Sequence, residues 1–178
     1  MKPAPGIAID LKAFVRDIPD FPKPGILFKD ITPLIKDARA FRAAVDALIA
    51  PFRDRGITHI VCVEARGFIF GSAAATALGA GFVPIRKQGK LPYKTYDVAY
   101  DLEYGTGVLS VHQDAVGRED RVLIVDDLLA TGGTVGAVAK LIEQCGARIE
   151  GLSFLVELEF LNGRKKLGNH VAHSVLRY

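Results

Sequence analysis

Three stretches of this chain are apolar almost without interruption: "THIVCVEA" at 58–65, "FVPIRK" at 82–87 and "RVLIVDD" at 121–127. A strand with one wet face alternates apolar and polar residues. A run apolar on both faces is covered on both sides, which points to a parallel sheet between two layers of helix. The segments between the runs agree. "DARAFRAAVDALIAPFRDRG" places Phe41, Ala44, Val45, Leu48 and Ile49 at helical spacing, with Gly56 as a stop. Residues 67–80 are an Ala-rich helical pattern, and "TVGAVAKLIEQCG" (134–146) is a helix ended by Gly146. The fold class is therefore α/β, with a central, mainly parallel sheet flanked by helices. In such sheets ligands bind beyond the carboxyl ends of the strands. Those ends are Glu64-Ala65-Arg66, Arg86-Lys87 and Asp126-Asp127.

The remaining segments are less regular. "IDLKAFVRDIPDF" (9–21) reads as a short helix ending before Pro22, followed by a proline-punctuated irregular stretch through residue 34. Residues 89–107 are polar, aromatic and Gly/Pro-marked, and read as a long loop or arm. "VLSVHQDAV" and "IEGLSFLVELEF" read as strands, and "HSVLRY" as a short tail. No repeat or linker divides the 178 residues, so residues 1–178 are expected to form one domain. A net charge of +3 without a dense Lys/Arg run argues against nucleic acid. No apolar run reaches the roughly 20 residues of a membrane span, and the N-terminus lacks a signal-peptide pattern. Cys62, in an apolar strand, and Cys145, on an apolar helix face, are expected to be buried thiols in a reducing cytoplasm rather than a disulfide framework.

"ATGGT" (130–134) joins the strand at 121–127 to a helix start. Small residues let backbone N–H groups converge on an anion, and the helix dipole adds positive potential. Taken alone, the loop serves equally as a tight turn with Thr134 as N-cap. It is neither a Walker A loop nor a dinucleotide fingerprint. Asp126 and Asp127 change the balance. Carboxylates accept hydrogen bonds from vicinal hydroxyls, so two acids beside an anion loop suit a sugar phosphate: acids on the 2′- and 3′-hydroxyls, loop on the 5′-phosphate.

"VLIVDDLLATGGT" closely resembles the phosphoribosyl pyrophosphate (PRPP) motif of type I phosphoribosyltransferases. "FPKPGILFKDITPL", "ARGFIFG", "IRKQGKLP", "DLEYG" and "SFLVELEFLNGRKKL" resemble, in order and spacing, the adenine-specific branch of that family. The resemblance covers roughly residues 10–178. It implies the type I phosphoribosyltransferase fold with a small hood over the base site, drawn from about residues 1–35 plus C-terminal segments. It implies purine salvage: transfer of phosphoribosyl from PRPP to adenine, giving AMP and diphosphate through an oxocarbenium-like transition state.

The resemblance also implies roles for single residues. Arg66 and the backbone after Glu64 would bind pyrophosphate, in a loop that carries a non-proline cis peptide across the family. Arg86, Lys87 and Lys90 would contact pyrophosphate, some of them across a homodimer interface. Asp126 and Asp127 would hold ribose and stand in the outer shell of the metal, with direct ligation left open, and Ala130, Thr131, Gly132, Gly133 and Thr134 would hold the 5′-phosphate. Glu103, on the arm, would handle the proton at the purine imidazole ring as the arm closes over the substrates, with Tyr104 as a cover. Phe28 would stack on adenine, Leu158 would press on its other face, and the backbone of Leu27 and Lys29 would read its edge. Lys29 stands where relatives also carry arginine. Mg²⁺ would arrive mainly on PRPP, which leaves few protein ligands to expect. Two alternatives stay open: a phosphoribosyltransferase for xanthine or guanine, and a non-catalytic PRPP-binding regulator.

Overall fold

The computed structural model of the chain describes residues 9–101 and 106–178. Two compact units make it up, Met1–Val45 and Asp46–Tyr178. In the first, a 3₁₀ turn at Leu11–Phe14 leads into an antiparallel hairpin of β1 (Arg16–Pro19) and β2 (Leu27–Asp30). The single helix expected over 9–21 is thus replaced by a turn and a strand. The pattern of residues 11–15 resembled a helix, but the backbone of 16–19 pairs with residues that lie beyond the prolines, which local periodicity does not register. Ion pairs Arg16–Asp30 and Lys29–Asp17, both 2.7 Å, cross the hairpin. Helix α1 (Thr32–Lys36) follows, and then α2 (Ala38–Ile49). Asp37 caps α2, its Oδ1 accepting from the N–H groups of Arg39 and Ala40 at 3.0 and 2.9 Å. The helix ends at Ile49, before Pro51 and well short of Gly56. Pro51 lacks the N–H that a further helical turn requires.

The second unit is a seven-stranded sheet. Its elements are β3 (His59–Val63), α3 (Arg66–Leu78), β4 (Gly81–Lys87), β5 (Thr95–Asp101), β6 (Thr106–His112), β7 (Arg121–Leu129), α4 (Gly133–Cys145), β8 (Arg148–Glu157) and β9 (Ala172–Arg177). The spatial order is β5-β6-β4-β3-β7-β8-β9. The neighbours β4, β3, β7, β8 and β9 run parallel, while β6 is antiparallel to both β4 and β5. The residues of β3 show why its sequence is apolar throughout. Val61 joins Val83, Ile85, Val122, Ile124, Val138 and Leu141 in the main core. Cys62, one residue on, faces the other way: a Cβ on Gly71 of α3 would fall 1.9 Å from its Sγ. Cys62 is fully buried as expected, whereas Cys145 is only half-buried, at the last residue of α4; both thiols are free.

Two readings of the sequence change here. The arm at 89–107 contains a strand, β5, whose Tyr96, Val98 and Tyr100 pack on the core while the residues between them do not. The tail is also a strand, β9, paired with β8. The connection from β3 through α3 leads to β4 on one side, and that from β7 through α4 leads to β8 on the other. The gap between the ends of β3 and β7 is therefore the topological switch point, where an α/β sheet opens a ligand crevice.

Candidate active site

The carboxyl ends of β3 and β7 frame a cavity of about 440 Å³. Its walls include Glu64, Ala65, Arg66 and Gly67 from the β3–α3 junction, Tyr100 from β5, and residues 126–135 of β7 and the loop after it. Strand β7 runs on to Leu129 rather than stopping at the aspartates, because β8 continues alongside it, with Leu129 opposite Glu157. The acids therefore sit within a strand, at fixed spacing, and their backbone is held by a neighbour.

The two acids differ. Asp127 is buried and pairs with Arg66, whose Nε lies 2.5 Å from Asp127 Oδ2 while half of the arginine side chain stays exposed. Asp126 is half-buried, and its Oδ1 accepts from the Asp127 N–H at 2.9 Å. Burial and the adjacent Asp127 charge push the Asp126 carboxyl well above the usual carboxylate range; Arg66 offsets only part of this. Helix α3 approaches closely enough that a Cβ on Gly67 would lie 2.7 Å from Asp126 Oδ1. A side chain at 67 would displace the Asp126 carboxylate oxygen, so the glycine keeps the helix start and the acid close together.

The loop ends at α4 with Gly132 as N-cap, at φ +80°. Thr134 is not the cap, because it lies inside the helix, and no side chain caps this terminus. The first-turn N–H groups have no side-chain cap and belong to a glycine turn that lines the cavity, an arrangement that suits an anion. The Glu64–Ala65 peptide is cis. Glu64 lies at one end of the cavity, and its carboxylate accepts from Arg86 Nε and Nη2 at 2.9 and 2.8 Å and from the Lys87 N–H at 2.9 Å. The Lys87 N–H bond, together with Arg86, holds the Glu64 carboxyl below its ordinary range despite partial burial.

Arg66, Asp126, Asp127, Ala130, Thr131, Gly132, Gly133 and Thr134 therefore line one cavity. Arg86 and Lys87 reach its rim through Glu64, and Arg86 Nη1 donates to the Lys90 carbonyl at 3.2 Å. Leu27, Phe28 and Lys29 lie on β2 of the first unit. There the Phe28 ring meets Phe21 edge-on at 5.1 Å, and Leu27 is 49% exposed. Leu158 follows β8 and its N–H donates to the Leu129 carbonyl at 3.0 Å. Glu103 and Tyr104 fall outside the described residues. Sequence reasoning named Glu64 at its strand end but gave its side chain no role, and it passed over Tyr100. Glu64 opens the same strand-end triplet as Arg66, and Tyr100 belongs to the alternation that marks β5.

The Phosphoribosyl transferase domain model matches residues 34–165. Adenine phosphoribosyltransferase of Solidesulfovibrio magneticus is 56% identical over 169 residues, covering 95% of this chain and 99% of that protein. The chain belongs to the adenine phosphoribosyltransferase family. Solved family members superpose closely. The Thermoanaerobacter pseudethanolicus enzyme is 51% identical with a TM-score of 0.91, covering 95% of this chain and 98% of that one. The Saccharomyces cerevisiae enzyme, solved with an imino-altritol bisphosphate and adenine, is 40% identical with a TM-score of 0.89, covering 94% and 97%. The family fold, a mainly parallel sheet between helices with its switch point between β3 and β7, is the architecture described above.

Proposed function

We infer that this adenine phosphoribosyltransferase family member joins adenine N9 to C1 of PRPP, with inversion at C1 and release of diphosphate. The observation that carries the reading is the single cavity in which two acids and an uncapped glycine turn stand side by side. The 5′-phosphate is assigned to the amides and hydroxyls of 130–134. The ribose hydroxyls are assigned to Asp126 and Asp127, within hydrogen-bonding distance of the same cavity. Arg66 and the 64–67 backbone face the diphosphate. Arg86, Lys87 and Lys90 add positive charge at the rim, where Glu64 fixes the Arg86 fork. Phe28, Leu158 and the backbone of Leu27 and Lys29 are assigned to adenine. The Lys29 ammonium is drawn to Asp17 and is given no base contact.

As the C1–diphosphate bond lengthens, positive charge grows on the ribose ring and negative charge on the leaving oxygens. Arg66 counters the second. Glu103 is assigned to the imidazole ring of adenine: its carboxylate faces N7 and accepts the ring proton as the N9–C1 bond forms. Closure of the arm would exclude the water that could otherwise capture C1. Mg²⁺ fits this site as a companion of the substrate: Asp126 and Asp127 put two carboxylates on the cavity wall beside the assigned ribose and diphosphate positions. When bound on PRPP it supplies charge neutralisation to the diphosphate.

We further infer a homodimer in the cytoplasm. The dimer is what the sequence resemblance implies, the exposed apolar side chains Ile69 and Tyr93 suit it, and the free thiols Cys62 and Cys145 suit a reducing compartment. Among the described residues no helix is long and apolar enough to cross a membrane. The test is product formation from PRPP and Mg²⁺ with adenine, hypoxanthine, guanine or xanthine. AMP from adenine alone is expected; IMP, GMP or XMP instead would reassign the base, and no product with any base would favour a regulator.

A further inference from the structure

Behind the phosphate loop, the chain leaving β8 makes a turn that sits against the loop more closely than side chains allow. A Cβ on Gly163 would lie 2.2 Å from the Ala130 carbonyl oxygen, and a Cβ on Gly132 would lie 2.5 Å from the Gly163 oxygen. The φ of Gly163 is not in the left-handed region, so glycine is required there for space alone. The turn is anchored by the Glu157–Arg164 pair, with Arg177 Nε 3.8 Å from the same carboxylate. Glu157, 4% exposed, takes the Arg164 guanidinium side-on: Nε to Oε1 at 2.7 Å and Nη2 to Oε2 at 2.8 Å. The same guanidinium donates from Nη1 to the Ala172 carbonyl at 3.0 Å and from Nη2 to Ser174 Oγ at 3.2 Å, which ties the turn to β9 as well. At the other end of the segment, the Leu158 N–H donates to the Leu129 carbonyl, one residue before the loop.

We propose that Glu157 and Arg164 are a positioning pair for PRPP: the fork roots the 163–166 turn, and the turn braces the back of residues 130–133 in their anion-receiving shape. The pair touches no substrate. The geometry explains why an ion pair sits on a buried strand end so near the site without lining its cavity. A lysine at 164 would keep the charge opposite Glu157 but lose the planar fork and the bonds to β9. This inference rests on the reading of 130–134 as the phosphate loop.

Steady-state kinetics and PRPP titration of Gly163→Ala, Arg164→Lys and Gly136→Ala test it. Gly136 is a control on the same side of α4, where an added Cβ meets only the Lys166 oxygen at 4.0 Å. Gly163→Ala is expected to raise KM for PRPP by about 10- to 100-fold, the cost of roughly an ångström of misplacement. Arg164→Lys should raise it less, with KM for adenine unchanged in both and Gly136→Ala at wild-type values. Because Arg164→Lys keeps Glu157 paired, it retains a folded protein if Gly163→Ala does not. A merely structural role would lower thermal stability and kcat in Arg164→Lys while leaving KM for PRPP unmoved, and that result overturns the proposal. Failure of the wild-type protein itself to bind PRPP would instead overturn the phosphate-loop reading on which it stands.

Discussion

The Asp126 carboxyl accepts a hydrogen bond from the Asp127 backbone while burial and its neighbour's charge oppose its ionisation. Its folded pKa is raised, so its contribution to stability is fully present below the unfolded carboxylate pKa of about 3.9 and is lost as pH rises through the folded value. Asp126→Asn carries no such loss. The melting temperature of the variant, taken relative to wild type, is expected to climb as pH is raised from about 4 through that window. A difference constant with pH would contradict the assignment. Glu157 behaves oppositely: burial pushes its carboxyl up, but Arg164 and Ser174 outweigh this and hold it low. Its contribution is present above the ordinary glutamate range and is lost as pH falls through its lowered value. Glu103→Gln is expected to cut kcat by about 10²- to 10⁴-fold, the usual worth of a proton-transferring group, while PRPP affinity is kept. Near-normal turnover in that variant would remove Glu103 from the chemistry.

The packing of α3 on β3 depends on Gly71, whose missing side chain admits the Cys62 thiol. Gly71→Ala should destabilise the protein by about 1–3 kcal/mol, as overpacking does, and adding Cys62→Ala should recover part of the loss. Equal losses in the single and double variants, read by urea denaturation, would mean that the two do not meet. The elements most legible in the sequence were those whose pattern is local: β3, β4, β7 and the helices between them, with the acids on β7 and the glycine loop after it. Those hidden were elements whose reason lies elsewhere in the chain. Strand β1 exists because it pairs with β2 across a proline-rich turn, and β9 because β8 has a free edge for it. Strand β5 did carry a signal, the alternation of Tyr96, Val98 and Tyr100, but it was masked by the glycines and prolines around it. Gly163 looked like one more loop glycine, since the oxygen that forbids a side chain there belongs to Ala130, thirty-three positions away.

At the scale of the whole molecule, two oppositely directed crossovers open the sheet between β3 and β7, and the chain places in that opening the groups a sugar phosphate needs. Two carboxylates and an anion loop side by side would repel a common ligand atom. They suit one ligand that presents hydroxyls to the acids and a phosphate to the loop. The formal charge of +3 on the chain is too small to draw PRPP by net attraction, so affinity must come from these local groups. The most direct measurement is calorimetric titration of PRPP with Mg²⁺ into the wild-type protein and Asp127→Asn. One site per chain is expected in the wild type, with affinity reduced at least about tenfold in the variant, the scale of losing a charge-assisted hydrogen bond. Equal dissociation constants for the two proteins would contradict the assignment of ribose to the acids at 126–127.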